Sequence, residues 1–189
     1  EGVELYRRDL GDTGLASNSV DLIMARSVME HIEDPERVYR EFARILAPGG
    51  RLIFITANRW DYASIIATLI PNRFHPWIVR HTEGRAECDV FPTQYKTNTR
   101  AAVHRHARQV GLDVARFAYM GQYPNYFMFN GFLFLLATGY EKLLRRFEFL
   151  APLRGWIFAD LVKPAGDRAR AAAGVDGAVG RIAVVPPFG

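Results

Sequence analysis

Asp9, Arg26, Ser27, Glu30, His31 and Asp34 are the residues of this chain best suited to do chemistry. All but the first fall in the short stretch 26–34, so a guanidinium, a hydroxyl, an imidazole and carboxylates are offered to one ligand. His31 can change charge near neutral pH and is the candidate catalytic base. Other chemistries find little support. Cys88 is the sole cysteine, so no disulfide can close within the chain, no zinc-type cysteine cluster exists, and no partner activates it as a nucleophile. His104 and His106 lie two apart in a helical pattern and face different sides, which argues against a metal site. His75 and His81 sit among apolar residues and read as structural. No metal is expected.

The polar stretch must be held by something rigid. Val20 to Ala25, "VDLIMA", is short and mostly apolar, as a strand buried on both faces would be. Asp34 is placed to cap a helix, with Pro35 at its first position and Glu36 in its first turn. Val38, Phe42, Ile45 and Leu46 form one apolar stripe of that helix, and Pro48-Gly49-Gly50 is expected to stop it. "RLIFIT", Arg51 to Thr56, reads as a second buried strand. Residues 20–56 are thus strand, helix, strand, of the length a right-handed parallel crossover needs. In such sheets ligands bind at the carboxyl ends of the strands, where loops can be polar. That accounts for a polar knot at the exit of the first apolar run.

Elsewhere, residues 3–8 alternate like a strand. Residues 60–79 are apolar with Pro71 and Pro76, a short helix and an irregular cover. "TNTRAAVHRHARQVG" predicts a helix capped by Thr97 or Asn98 and ended by Gly111. "LDVARFAYMG" and Trp156 to Pro164 predict two more strands. Residues 165–189 are rich in Ala, Gly and Pro and predict a mobile tail. The domain is therefore expected over 1–164, with an apolar helical insertion at about 124–152 and a flexible tail at 165–189. Apolar residues make up 49% and charged residues 23%, a folded rather than disordered composition. The net charge of +4 is scattered, mostly as arginine, which disfavours nucleic acid as a partner.

The run "SVDLIMARSVMEHIEDPERVYREFARILAPGGRLIFITAN" resembles the class I S-adenosylmethionine-dependent methyltransferases, in particular the ubiquinone and menaquinone biosynthesis branch. The carrying residues are Asp21 in the strand, Glu30-His31 in the turn, Asp34-Pro35 at the helix start, and Leu46, Pro48, Gly49, Gly50 and Leu52. Upstream, "RRDLGDTGLASNSVDL" resembles the same family, and the likeness extends to about Pro164. The resemblance implies an α/β, Rossmann-like fold whose mostly parallel sheet is flanked by helices and whose last strand is antiparallel. It implies S-adenosyl-L-methionine as cofactor, with Asp9 and Leu10 at the adenine and Ala25, Arg26 and Ser27 at the methionine end. The family's first two strands and its glycine-rich loop have no counterpart before Asp9. The chain is thus expected to be the later part of a domain that starts upstream of Glu1, weak or inactive alone, with one raw sheet edge.

The implied activity is methyl transfer to a small-molecule acceptor. Such a displacement chiefly needs alignment and exclusion of water, plus a base where the acceptor must lose a proton. Tyr126, Phe127, Phe129, Phe132 and Phe134 occupy the place of a substrate-covering insertion and suit a bulky, apolar, lipid-like acceptor. The alternative is a non-catalytic remnant, or a peripheral membrane-binding module. The apolar part of 126–150 is too short to span a bilayer, but Arg145 and Arg146 suit contact with lipid phosphates. A cytoplasmic setting, with or without membrane association, is the expectation that follows.

Overall fold

The computed structural model describes residues 5, 7–62, 64–65, 93–124, 127–165 and 182–185. In chain order its main elements are β1 (Val20–Arg26), α1 (Pro35–Ile45), β2 (Leu46–Ala57), α2 (Arg100–Gln109), β3 (Asp113–Met120), α3 (Gly131–Arg146), β4 (Trp156–Val162) and β5 (Ile182–Val185). The strands form one sheet in the order β3-β4-β2-β1-β5. β1 runs parallel to β2 and to β5, while β4 runs antiparallel to both β2 and β3. Four strands therefore point one way and β4 alone opposes them. This is the expected Rossmann-like α/β sheet. The exits of β1, β2 and β3 share one rim with the entry of β4, since Ala57 and Met120 both pair with Trp156.

α1 begins as its sequence dictates. The Asp34 side chain accepts a hydrogen bond from the Arg37 backbone N–H at 3.1 Å, and Pro35 fills the first turn. Val38, Phe42 and Ile45 are buried as expected, joined by Pro35, Tyr39 and Glu41. The helix ends at Ile45, earlier than the Pro-Gly-Gly signal alone implies, because Leu46 turns extended and opens β2. Ala47, standing before Pro48, is disfavoured in a helix for steric reasons. Gly49 takes a φ of +84°, and a Cβ at Gly50 would lie 2.8 Å from the Ala47 carbonyl oxygen. The pair makes the irregularity by which Val20 faces Leu46 but Leu22 faces Arg51. Lys163 then ties this corner, donating to Asn18 Oδ1 at 2.8 Å and to the Ala43 and Leu46 carbonyls at 2.6 and 2.8 Å. Carbonyls of the last helical turn thereby find a cationic partner.

Two expectations about the edges need correction. Half of the strand expected over 3–8 falls outside the described residues, and the described Leu5, Arg7 and Arg8 are not in a strand. Part of the supposed mobile tail is strand β5, which lies along β1 and covers the edge thought to be raw. Ile182 to Val185 are β-formers, and Ala183 and Val185 pack on the core while Ile182 and Val184 face out. The Ala- and Gly-rich composition around them hid a four-residue alternation. The rest of 165–189, apart from Ala165, and residues 66–92, with Pro71, His75, Pro76, His81 and Cys88, lie outside the described residues.

The core joins Ile23, Phe42, Leu52, Phe54, Ala107, Val103 and Leu161 between the sheet and helices α1 and α2. Tyr39 is fully buried there, its ring 5.2 Å from that of His106, and among the described residues its hydroxyl has no hydrogen-bond partner. Burial pushes its ionisation far above the ordinary tyrosine range. A buried hydroxyl left unpaired costs free energy that phenylalanine would not. Tyr39→Phe should therefore leave the fold intact and raise its unfolding free energy by about 1 kcal/mol, read from the midpoint of denaturant unfolding. A loss of stability would show that the hydroxyl is satisfied in solution.

Candidate functional site

The segment before β1 is positioned by one face of α1. Arg37, Glu41 and Arg44 stand at i, i+4 and i+7 and all reach toward residues 9–17. Glu41 Oε1 accepts from the Thr13 backbone N–H at 2.9 Å and from its hydroxyl at 2.6 Å. Arg44 donates to both Glu41 oxygens at 2.8 Å, and also to the Leu15 carbonyl at 2.6 Å and Ser17 Oγ at 3.0 Å. Arg37 Nε donates to the Gly11 carbonyl at 3.2 Å and its guanidinium stands 3.5 Å from Asp9 Oδ2. Asp9 Oδ1 accepts from the Gly11 N–H at 2.7 Å, so this aspartate also stabilises its own turn. It remains more than half exposed and within reach of a ligand.

This clamp brings Asp9 and Leu10 to the exit of β1. They line a cavity of about 320 Å³ together with Val28, His31, Ile32, Asp34 and Arg37. Leu10, Val28 and Ile32 give it apolar walls, while Asp9 offers an acceptor and Arg37 a donor at its border. Asp9, Leu10 and His31, chosen from the sequence, thus meet at one place. Ala25, Arg26 and Ser27 do not line the cavity but lead into it through Val28. The Ala25 side chain is buried in the core, and Arg26 is exposed. Ser27 adopts a φ of +53°, an uncommon conformation for a side-chain-bearing residue, and its N–H is spent on the Ile55 carbonyl at 2.9 Å. Any contact these three make with a ligand is therefore narrower than the sequence pattern implies: the Arg26 guanidinium and the Ser27 hydroxyl.

Glu30 behaves differently from its neighbour His31. It is buried, and its Oε2 accepts the Thr56 hydroxyl at 2.6 Å. Asn98 donates to Thr56 Oγ1 at 2.8 Å and to the Ala57 carbonyl at 2.6 Å, while Thr97 donates to the Met29 carbonyl at 2.9 Å. The exits of β1 and β2 are locked together by these buried groups. Thr97 and Asn98 are thus not the cap of α2; Thr99 caps it by accepting from the Ala102 N–H at 3.2 Å. A threonine–asparagine–threonine run suggested a cap, but which of the three turns outward depends on the strand it meets.

Further along the rim, Gln122 donates from its side chain to Asp61 at 2.9 Å and from its backbone toward Glu141 at 3.4 Å. Tyr62 stacks on Phe127 and meets Tyr140 edge-on. Burial pushes the Glu141 carboxyl up, and Asp61 adds to the effect. His106 is held below the usual histidine range, chiefly by burial, with Arg105 adding to it. Among the described residues no cluster of His, Cys, Asp and Glu could hold a metal ion. An open groove of about 510 Å³ runs along the outer face of α2 beside His104, Arg105 and Arg108, but it is built by one helix and lies apart from the strand exits.

The family described as "Methyltransferase domain" matches residues 1–54. The chain is similar to the ubiquinone biosynthesis O-methyltransferase of Caulobacter sp. (strain K31), 32% identical over 88 residues that cover 41% of this chain and 35% of the relative. It is likewise similar to the ubiquinone biosynthesis O-methyltransferase of Pseudomonas putida (strain W619), 34% identical over 71 residues covering 36% and 31%. The likeness to methyltransferase sequence lies in the amino-terminal part of the chain. A solved S-adenosylmethionine-dependent methyltransferase from Mesorhizobium loti aligns with a TM-score of 0.48 and 14% identity, over 83% of this chain and 68% of that one. The chain spans about a third of the length of the curated relatives it matches.

The matched segment ends within β2, and it contains the whole clamp on α1. Sequence reading missed Glu41 and Arg44, although their spacing from Arg37 was visible. Arg44 and Thr13 hold the Glu41 carboxyl down to about 2 against the usual 4.5. A folded value below the unfolded one adds stability above about 4.5 that is lost as pH falls toward 2. Glu41→Gln should therefore lower stability at neutral pH by about 2 kcal/mol and flatten its decline between pH 4.5 and 2. Urea unfolding across that range checks both. An unchanged pH slope would remove the clamp.

Proposed function

We propose that this chain belongs to an enzyme that transfers a methyl group from S-adenosyl-L-methionine to a small-molecule acceptor. The observation that carries the reading is the cavity at the exit of β1, where the Asp9-Leu10 turn and His31 come together inside methyltransferase sequence. Its chemistry fits an adenosyl group. Leu10, Val28 and Ile32 offer apolar surface for a flat ring, and the exposed Asp9 carboxylate can accept from an amino group. Arg26 and the Ser27 hydroxyl stand at the end of the same strand, beside the cavity, for the amino-acid end. The bound cofactor would supply an activated methyl group on sulfur.

The chain's own residues then have a short task. They hold the acceptor in line with that methyl group and keep water out. Where the acceptor is a hydroxyl, His31 would take its proton. The acceptor we infer is apolar and bulky. Two observations support it: Tyr62, Phe127 and Tyr140 gather near the same rim, and relatives carry the name ubiquinone biosynthesis O-methyltransferase. A purely scaffolding role without catalysis has no observation of its own in its favour.

Calorimetric titration of the full-length protein with S-adenosylhomocysteine should show binding, weakened roughly tenfold by Asp9→Ala through loss of one charge-assisted hydrogen bond. His31→Gln should lower kcat while weakening that affinity less than Asp9→Ala does. Absence of binding to the full-length protein would overturn the reading. Turnover of small polar acceptors in preference to long-chain phenols would overturn the acceptor class alone.

A further inference from the structure

α3 is built inside out. Its inward face carries Ala137, Glu141 and Leu144, so the helix buries a carboxylate. Its outward face carries phenylalanine and leucine. Phe132 is 70%, Leu135 68%, Leu136 56% and Leu143 49% exposed. At about 100° per residue, Phe132, Leu136 and Leu143 fall within about 40° of one another. Leu135, Lys142 and Arg146 run along one flank of that stripe. Met128 and Phe129 extend the apolar surface before the helix, and Phe147 and Phe149 extend it after. A helix that served only the core would turn these residues the other way.

We infer that this face lies on an anionic lipid bilayer. Charge selects the occupant. Lys142 and Arg146 border the apolar stripe, Arg145 lies in the same turn, and no acidic side chain of α3 faces outward. Basic residues around an apolar stripe match lipid phosphates over acyl chains. A second copy of the chain is a poorer match, because a twofold contact would set the same cations against each other. The helix lies on the surface and does not cross it: its 16 residues reach about 24 Å, short of the ~30 Å hydrocarbon layer. Among the described residues no helix is long and apolar enough to span a membrane. The inference stands whether or not the protein transfers methyl groups.

Co-sedimentation of the full-length protein with vesicles tests it. Vesicles of phosphatidylcholine containing phosphatidylglycerol should retain the protein roughly tenfold more strongly than phosphatidylcholine alone, and added salt should weaken the difference. Phe132→Ser with Leu136→Ser should abolish retention, and Lys142→Glu with Arg146→Glu should abolish the preference for anionic lipid. These side chains are exposed, so the variants should keep the wild-type melting temperature. Failure of the wild type to bind anionic vesicles would overturn the inference. So would a concentration-dependent dimer that Phe132→Ser with Leu136→Ser dissolves.

Discussion

The candidate site depends on a single ionic clamp between one helix and the loop that precedes its own strand. Of residues 9–17, Leu10 and Leu15 pack against the core. Glu41 and Arg44 hold the polar remainder, the carboxylate through Thr13 and the guanidinium through the Leu15 carbonyl and Ser17. The pair is well suited to this task. Glu41 is largely shielded, its two oxygens are both engaged by Arg44, and Arg44 keeps an edge in water, so little desolvation offsets the attraction. Without the clamp, Asp9 and Leu10 would have no fixed relation to β1, and the cavity would lack a wall.

The sheet supplies the second half of that geometry. α1 can present Arg37, Glu41 and Arg44 to the loop only because its opposite face is anchored by Val38, Phe42 and Ile45. Its end is fixed where Lys163, arriving from β4, binds carbonyls of the last turn and Asn18 before β1. A residue from the far end of the described domain thus sets the entry of β1 and the start of β2. At the opposite rim Glu30, Thr56 and Asn98 fix the exits of the same two strands. The strands are pinned at both ends by polar groups and in the middle by packing, and His31 and Asp34 of the segment that follows β1 border the cavity.

Much of this was legible in sequence, and the limits have physical causes. The β1–α1–β2 unit announced itself because each local signal agreed: apolar runs of strand length, Asp34 with Pro35, a helical stripe, then Pro-Gly-Gly. Asp9 and Leu10 were nominated through the family resemblance and His31 by its position. The fold brings these three together at one cavity and places the Ala25 side chain in the core. β5 was missed because four residues carry too little periodicity to stand out from an Ala- and Gly-rich stretch. Glu41, Arg44, Asn98 and Lys163 were missed because a polar residue's partner lies far along the chain. No spacing rule says which loop a guanidinium will meet. The cap of α2 was misplaced for the same reason: Asn98 is drawn inward by the end of β2, which leaves the capping to Thr99.

α3 illustrates the same principle from the other side. Apolar composition predicted a helix at this place, yet composition does not say which face turns inward. Glu141 faces inward because the exits of β2 and β3 present Gln122, whose backbone N–H approaches the carboxylate while its side chain engages Asp61. Gly155 leaves room for that glutamine, since a Cβ there would stand 2.4 Å from its side chain. Once the polar side of the helix is committed to the rim, helical geometry forces Phe132, Leu136 and Leu143 outward. The same commitment raises the Glu141 carboxyl, because burial favours its neutral form. An exposed apolar face and a buried acid are thus two consequences of one choice of helix rotation.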